Sequence, residues 1–197
     1  MEQGAINRED LKKLIAAVAA EGAFYGPAAG SSGVALSELG ADDELVFDYA
    51  NFMLPPKRCF FPQSEVISTS DGESVSEAPL RAEKSVIFGV RPCDALSFLH
   101  LEKVFLDEQY SDPYYRARRD NAIIISLACN EPLDTCFCTS VGGDPAGSDG
   151  ADIVAFDVGN ALVFETVTSK GEGFMKAHAA LFRPPTAEET KTRREQA

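Results

Sequence analysis

The sequence predicts an α/β fold with a parallel βαβ core, additional antiparallel strands and an N-terminal helix. Two continuous apolar runs carry that prediction, Ser85-Val86-Ile87-Phe88-Gly89-Val90 and Ala122-Ile123-Ile124-Ile125-Ser126-Leu127. Such runs mark strands buried on both faces. Between them lies an apolar periodic stretch over residues 95–106, with Leu96, Phe98, Leu99, Leu101 and Val104, long enough for a helix. Strand, helix, strand in this order implies a parallel pair joined by a right-handed crossover. The 197 residues, 45% of them hydrophobic and thirteen of them Phe, suffice for one core with a small appendage.

From the N-terminus, Asn7 is placed to cap a helix over residues 8–21. Leu11, Leu14, Ile15 and Val18 give its apolar stripe, and Gly22 its stop. Val34-Ala35-Leu36 and Leu45-Val46-Phe47 read as short strands between turn-forming clusters. Residues 55–65, rich in Pro and Phe, are expected to be extended. Residues 68–83, polar and acidic, read as a surface loop. After the central helix, residues 112–120 form a polar, arginine-rich connector. Residues 141–150 form a Gly/Asp loop. Asp152–Asp157 and Ala161–Thr166 flank Gly159-Asn160 and predict an antiparallel hairpin. A last helix is expected over residues 173–182. Residues 1–182 are thus read as a single domain, and residues 183–197 as a charged tail or linker.

The chemistry is concentrated in the cysteines. Cys129, Cys136 and Cys138 fall within ten residues, and Cys93 follows the first buried strand in Arg91-Pro92-Cys93-Asp94. The parallel pair places Cys93 and Cys129 just past the carboxyl ends of neighbouring strands, where open α/β sheets gather their ligand sites. Cys136 and Cys138 lie on the loop that leaves Cys129 and can fold back to it. A position near a helix start is expected to lower the Cys93 thiol pKa. Thiolates are soft ligands that select zinc, copper(I) or iron–sulfur clusters. The C-x6-C-x-C spacing lacks the paired knuckles of zinc ribbons and fingers. An iron–sulfur cluster held by Cys93, Cys129, Cys136 and Cys138 is therefore the first reading, with zinc as the alternative. A non-redox structural or assembly domain with zinc or ordinary free thiols, a Cys136/Cys138 redox dithiol and a thiol-dependent enzyme using Cys93 are further readings. Cys59, inside Cys59-Phe60-Phe61, is read as structural. Asp94 and Asp134 are read as caps, and His100 and His178 as unconnected with the cysteines. Arg116, Arg118 and Arg119 read as ion-paired on an acidic protein, with a docking surface for an acidic partner as the sharper alternative.

A formal net charge of −13 argues against nucleic acid and anionic membrane surfaces as partners. No stretch has the length of apolar sequence a membrane span requires. The N-terminus lacks the pattern of a secretory signal, and five cysteines, an odd number, fit a reducing cytoplasm. No glycine-rich phosphate loop follows a strand and opens a helix, and no nucleophile stands in a recognisable arrangement with His.

Four motifs occur in order: Phe60-Phe61-Pro62-Gln63-Ser64-Glu65, Gly89-Val90-Arg91-Pro92-Cys93-Asp94, Asp112-Pro113-Tyr114-Tyr115 leading to Arg119, and Cys136-Phe137-Cys138-Thr139-Ser140. Over residues 47–171 the chain resembles the N-terminal part of the beta subunits of cytosolic NiFe hydrogenases (sulfhydrogenases) and of the related iron–sulfur subunit of anaerobic sulfite reductase. The resemblance implies iron–sulfur electron transfer, with a 4Fe-4S cluster, between a flavin-bearing diaphorase and a catalytic subunit of an anaerobic complex. By it, Cys93, Cys129, Cys136 and Cys138 match cysteines of the family's N-terminal region. Family members continue into a ferredoxin-like region with two C-x2-C-x2-C-x3-C-P runs. This sequence contains neither run, so it is expected to supply one part of a longer electron path.

Overall fold

A computed structural model describes residues 2–78, 80 and 83–196. The chain opens with strand β1 (Gln3–Asn7), a 3-10 turn (Arg8–Asp10) and helix α1 (Leu11–Ala19), then runs through β2 (Ala23–Gly30) and β3 (Gly33–Glu38). An exposed two-stranded ribbon, β4 (Ser68–Ser70) and β5 (Val75–Glu77), precedes the central unit. That unit comprises β6 (Ser85–Val90), α2 (Pro92–Phe105), α3 (Pro113–Asn121) and β7 (Ala122–Leu127). The hairpin β8 (Ile153–Asp157) and β9 (Ala161–Thr166) follows, with α4 (Ser169–Ala177) and α5 (Ala187–Glu195) last.

Seven strands form one sheet in the order β1-β9-β8-β7-β6-β2-β3. The inner four, β2, β6, β7 and β8, are parallel. The flanks are antiparallel: β3 on β2, β9 on β8, and β1 on β9. The mixed α/β class, the βαβ core and the hairpin are as the sequence predicts. Alternation along the strands sends side chains to two faces. Leu14, Ile15 and Val18 of α1 and Phe174 and Met175 of α4 cover Phe24, Phe88, Ile125 and Phe164 on one face. On the other, Phe98 of α2, Tyr115 of α3 and Phe60 pack on Ile87 and Ile124. Phe60 meets Phe98 edge-on at 5.0 Å between ring centroids, a favoured aromatic geometry.

Several elements depart from expectation. β1 and β2 are strands that small residues, Gly26 and Pro27 conceal. Pro27 is tolerated because only Ala23, Phe24 and Tyr25 pair with β6, and the Pro27 carbonyl accepts from Val46 N at 2.8 Å. Leu45-Val46-Phe47 gives β2 that one backbone hydrogen bond, packs on it through side chains, and is not a strand. Asn7 lies in β1 and its side chain caps nothing. The first helix is accordingly shorter than residues 8–21. The last expected helix is displaced to Ser169–Ala177, followed by a 3-10 turn over Ala179–Leu181. Within residues 68–83, the positions other than 79, 81 and 82 are described and include the β4–β5 ribbon.

The connector at residues 112–120 is helix α3. Asp112 caps it by accepting from the Tyr114 and Tyr115 amides, both at 2.8 Å, and Pro113 occupies the first turn. Asp112→Ala is expected to cost about 1 kcal/mol, measurable by urea unfolding, because it frees the turn that sets Tyr115 into the core.

Residues 183–195 are anchored rather than trailing. Arg183 exchanges backbone hydrogen bonds with Ala5, and Thr186 and Glu189 form a capping box at the start of α5. Arg193 ion-pairs with Glu165 and lies 4.3 Å over the Phe156 ring. The hydrogen bonds and charge of Arg183 hold the Glu189 carboxyl down to about 2, well below its ordinary range near 4.5. A carboxylate favoured in the folded state stabilises it above the unfolded pKa and ceases to do so as pH falls through the folded one. The protection of α5 amides relative to their intrinsic exchange rates is therefore expected to fall between pH 4.5 and pH 2, and Glu189→Gln to remove that dependence. Among the described residues, no helix is long and apolar enough to cross a membrane.

Candidate metal centre

The site is built at the carboxyl edge of β6 and β7. β6 ends in a bulge: its register with β7 shifts between Phe88 and Val90, and Gly89 takes φ +83°. A Cβ there would stand 2.7 Å from the Tyr49 hydroxyl and 2.9 Å from Pro27 Cδ, so the turn requires glycine. The bulge aims Arg91 inward and starts α2 at Pro92, which makes Cys93 the second residue of that helix.

Beyond β7, the Ala128 amide donates to Ala155 O and the Cys129 amide to Pro145 O, each at 2.9 Å. These bonds fix the exit of the second cysteine loop. The loop turns at Leu133, whose amide donates to Cys136 Sγ at 3.2 Å. A 3-10 turn, Cys138–Val141, closes on Gly142 at φ +81°, and Gly143 N returns to Cys138 O at 2.8 Å.

Cys93, Cys129, Cys136 and Cys138 all line one cleft of about 310 Å³. Leu96, Phe137, Val141 and Pro145 supply its apolar walls. Cys93 and Cys136 are exposed, whereas Cys129 and Cys138 are half-buried. Among the described residues, no three Cys, His, Asp or Glu side chains converge closely enough to enclose a single metal ion. A tetrahedral zinc with Zn–S near 2.3 Å needs thiolates about 3.8 Å apart. A polynuclear iron–sulfur cluster spreads its thiolates over several iron atoms, and the donor set of four thiols around a cleft fits that chemistry.

The Cys93 thiol is raised rather than lowered. Partial burial contributes most, the Asp94 carboxylate adds to it, and the negative charges of Cys138 and Cys129 push the same way. One backbone N–H at the helix start opposes them and loses. Burial also raises the Asp94 carboxyl, against the pull of the Arg91 guanidinium.

The other candidates separate cleanly. Cys59 ends a 3-10 turn (Pro56–Cys59) and lines a different cleft beside Tyr25, and burial pushes its thiol up to about 11. His100 is exposed on the cleft wall, and His178 lines another cleft beside α1 and α4. Arg118 pairs with Glu65, Arg119 with Glu102 at 2.7 Å, and Arg116 bonds Ser111 Oγ at 2.9 Å. That basic patch is thus largely neutralised by its own neighbours.

Arg91 is the residue that sequence reasoning passed over. It is only 6% exposed and lies between the two cysteine loops. Its place directly after a buried strand and before a helix-opening proline was the available signal.

These features define an α/β domain with a four-cysteine cleft at the carboxyl edge of its parallel strands. Over 174 residues, 88% of its length, the chain is 33% identical to sulfhydrogenase 2 subunit beta of Pyrococcus furiosus. The likeness is therefore to a hydrogenase-type beta subunit. The match covers 51% of the relative, so the chain spans about half the length of the curated protein it matches. No family model matches the chain, and no solved structure matches it.

Proposed function

We propose that this chain carries electrons through an iron–sulfur cluster, as one subunit or domain of an anaerobic hydrogenase-type redox complex in the cytoplasm. The observation that carries the reading is the gathering of Cys93, Cys129, Cys136 and Cys138 around one cleft from two loops 36 residues apart at Cys93 and Cys129. The similarity to a sulfhydrogenase beta subunit supports it. Cys93, Cys129, Cys136 and Cys138 would be the thiolate ligands of a 4Fe-4S cluster. Such a cluster, when bound, takes up and releases one electron at a time.

The chain's own residues set the conditions. Leu96, Phe137, Val141 and Pro145 keep the cleft apolar, which strengthens every electrostatic interaction inside it. The Leu133 amide donates a hydrogen bond to the Cys136 sulfur and so orients it toward its loop. No bond-making chemistry is assigned to this chain. Its partners in the reading are a flavin-bearing diaphorase and a catalytic subunit, between which electrons pass. The test is an EPR-monitored redox titration of anaerobically prepared protein. A reversible one-electron signal is expected, and a protein loaded with iron and sulfide that cannot be cycled would overturn the electron-transfer role.

A further inference from the structure

The geometry points to Arg91 as the positioning residue of the four-cysteine cleft: it clamps the two cysteine loops together and supplies a fixed positive charge that favours the more reduced state of the group held there. The clamp stands on geometry alone, whereas the charge effect rests on the electron-transfer reading above.

Among the described residues, all hydrogen bonds of the guanidinium go to main-chain carbonyls. Nε donates to Ala50 O at 3.1 Å. Nη1 donates to Ala128 O at 3.1 Å and to Leu127 O at 3.4 Å, and Nη2 to Tyr49 O. The group also lies 4.2 Å from the centroid of the Tyr49 ring. The Tyr49 hydroxyl in turn donates to Gly89 O, and burial raises its pKa so that it stays a neutral donor. One side chain therefore joins the end of β6, the end of β7 and the segment at residues 49–50. Cys93 follows Arg91 by two residues, and Cys129 follows the acceptor Ala128 by one. Lysine cannot reproduce this, because its ammonium lacks the planar fork and the stacking face.

Among the described residues, no carboxylate is bound to this charge. None of the acceptors above is an anion, and Asp94, the acidic group that feels Arg91, makes no ion pair with it. Carbonyl dipoles solvate a buried cation without cancelling it, so its field reaches the adjoining cleft, which Arg91 itself lines together with all four cysteines. A four-thiolate cluster is anionic, and adding an electron makes it more so. A neighbouring cation stabilises the reduced form more than the oxidised form.

The experiment uses the full chain as wild type, Arg91→Lys and Arg91→Met. In the metal-free proteins, hydrogen exchange at the amides of Tyr49, Ala128 and Cys129 is followed. Both variants are expected to exchange at least about tenfold faster, and unchanged exchange in both overturns the clamp. After anaerobic loading with iron and sulfide, midpoint potentials are compared. Arg91→Met is expected to shift the oxidised-to-reduced ratio about tenfold toward oxidised at a given poise, or about 59 mV downward for one electron. Arg91→Lys is expected to stay within about threefold of wild type. A wild-type potential in Arg91→Met overturns the charge effect. If Arg91→Met does not fold, Arg91→Lys decides: faster loop exchange with a near-wild-type potential supports the proposal, and slow exchange or a full tenfold shift refutes it. If the wild type itself takes up no iron and sulfide, the electron-transfer reading and the charge effect fall together. Exchange in the metal-free proteins then still decides the clamp.

Discussion

Alanine at Cys136 or at Cys138 is expected to reduce bound iron and sulfide below about a tenth of the wild-type content, while Cys59→Ala leaves both unchanged. The reason is positional. Cys136 and Cys138 line the cleft with Cys93 and Cys129, and the loop that carries them has its own supporting bonds, from Leu133 N to Cys136 Sγ and from Gly143 N to Cys138 O. Removing the Cys138 thiol leaves the Gly143 main-chain bond in place and deletes a ligand, removing the Cys136 thiol deletes a ligand and the Leu133 bond with it, and affinity for a cluster depends on a full set of deprotonated ligands. Cys59 sits in a separate cleft, its thiol held protonated at neutral pH by burial. Iron content measured on the three variants, each loaded anaerobically in parallel, decides the ligand assignment. Equal iron in all three refutes it.

The second large effect concerns Gly150, where the loop after the cysteines returns beneath α2. Its φ is +79°, and a Cβ would lie 2.0 Å from Ala95 O. That oxygen belongs to the backbone of the first turns of α2, two residues from Cys93, and Ala95 is fully buried. Neither partner is a flexible side chain that can swing away. Left-handed backbone alone costs a residue with a Cβ about 1–2 kcal/mol, and pushing apart buried backbone adds to it. Gly150→Ala is therefore expected to destabilise the metal-free protein by more than about 3 kcal/mol, lowering Tm by at least about 6 °C in a chain of this size. Gly142 is the control. Its φ of +81° is similar, but nothing lies within 4 Å of the added carbon. Gly142→Ala is expected to cost only the conformational part, about 1–2 kcal/mol. Thermal unfolding of both variants tests the comparison, and equal losses would contradict the close approach of the loop to α2.

Much of the centre of the fold was legible because its signals are physically strong. β6 and β7 are continuous apolar runs that only a doubly covered strand can bury, and Gly159-Asn160 between two apolar segments marks the hairpin. From those strands alone the four cysteines could be brought to one edge. The flanks were harder for identifiable reasons. β1 uses Gly4, where a larger side chain would meet Met175 and Phe182, and Ala5, fully buried on the other face with Val154 and Val163, so its strand character lies in packing and not in composition. In β2, Pro27 falls just past the residues that pair with β6. Helices α3 and α5 are polar, and their composition outweighed capping signals that were present, Asp112-Pro113 in one and Thr186 with Glu189 in the other. The Cys93 shift runs opposite to what helix position alone predicts, because burial and the neighbouring Asp94 outweigh the backbone N–H at the helix start. Arg91 was illegible for a different reason. Its acceptors are the carbonyls of Tyr49, Ala50, Leu127 and Ala128, distant in sequence, and nothing in those residue types announces them.

The central claim is that the four cysteines hold an iron–sulfur cluster. Its most direct test is the metal and acid-labile sulfide content of protein purified and handled without oxygen. A bound 4Fe-4S cluster predicts about four iron atoms and four sulfides per chain. One zinc per chain with neither iron nor sulfide would contradict it.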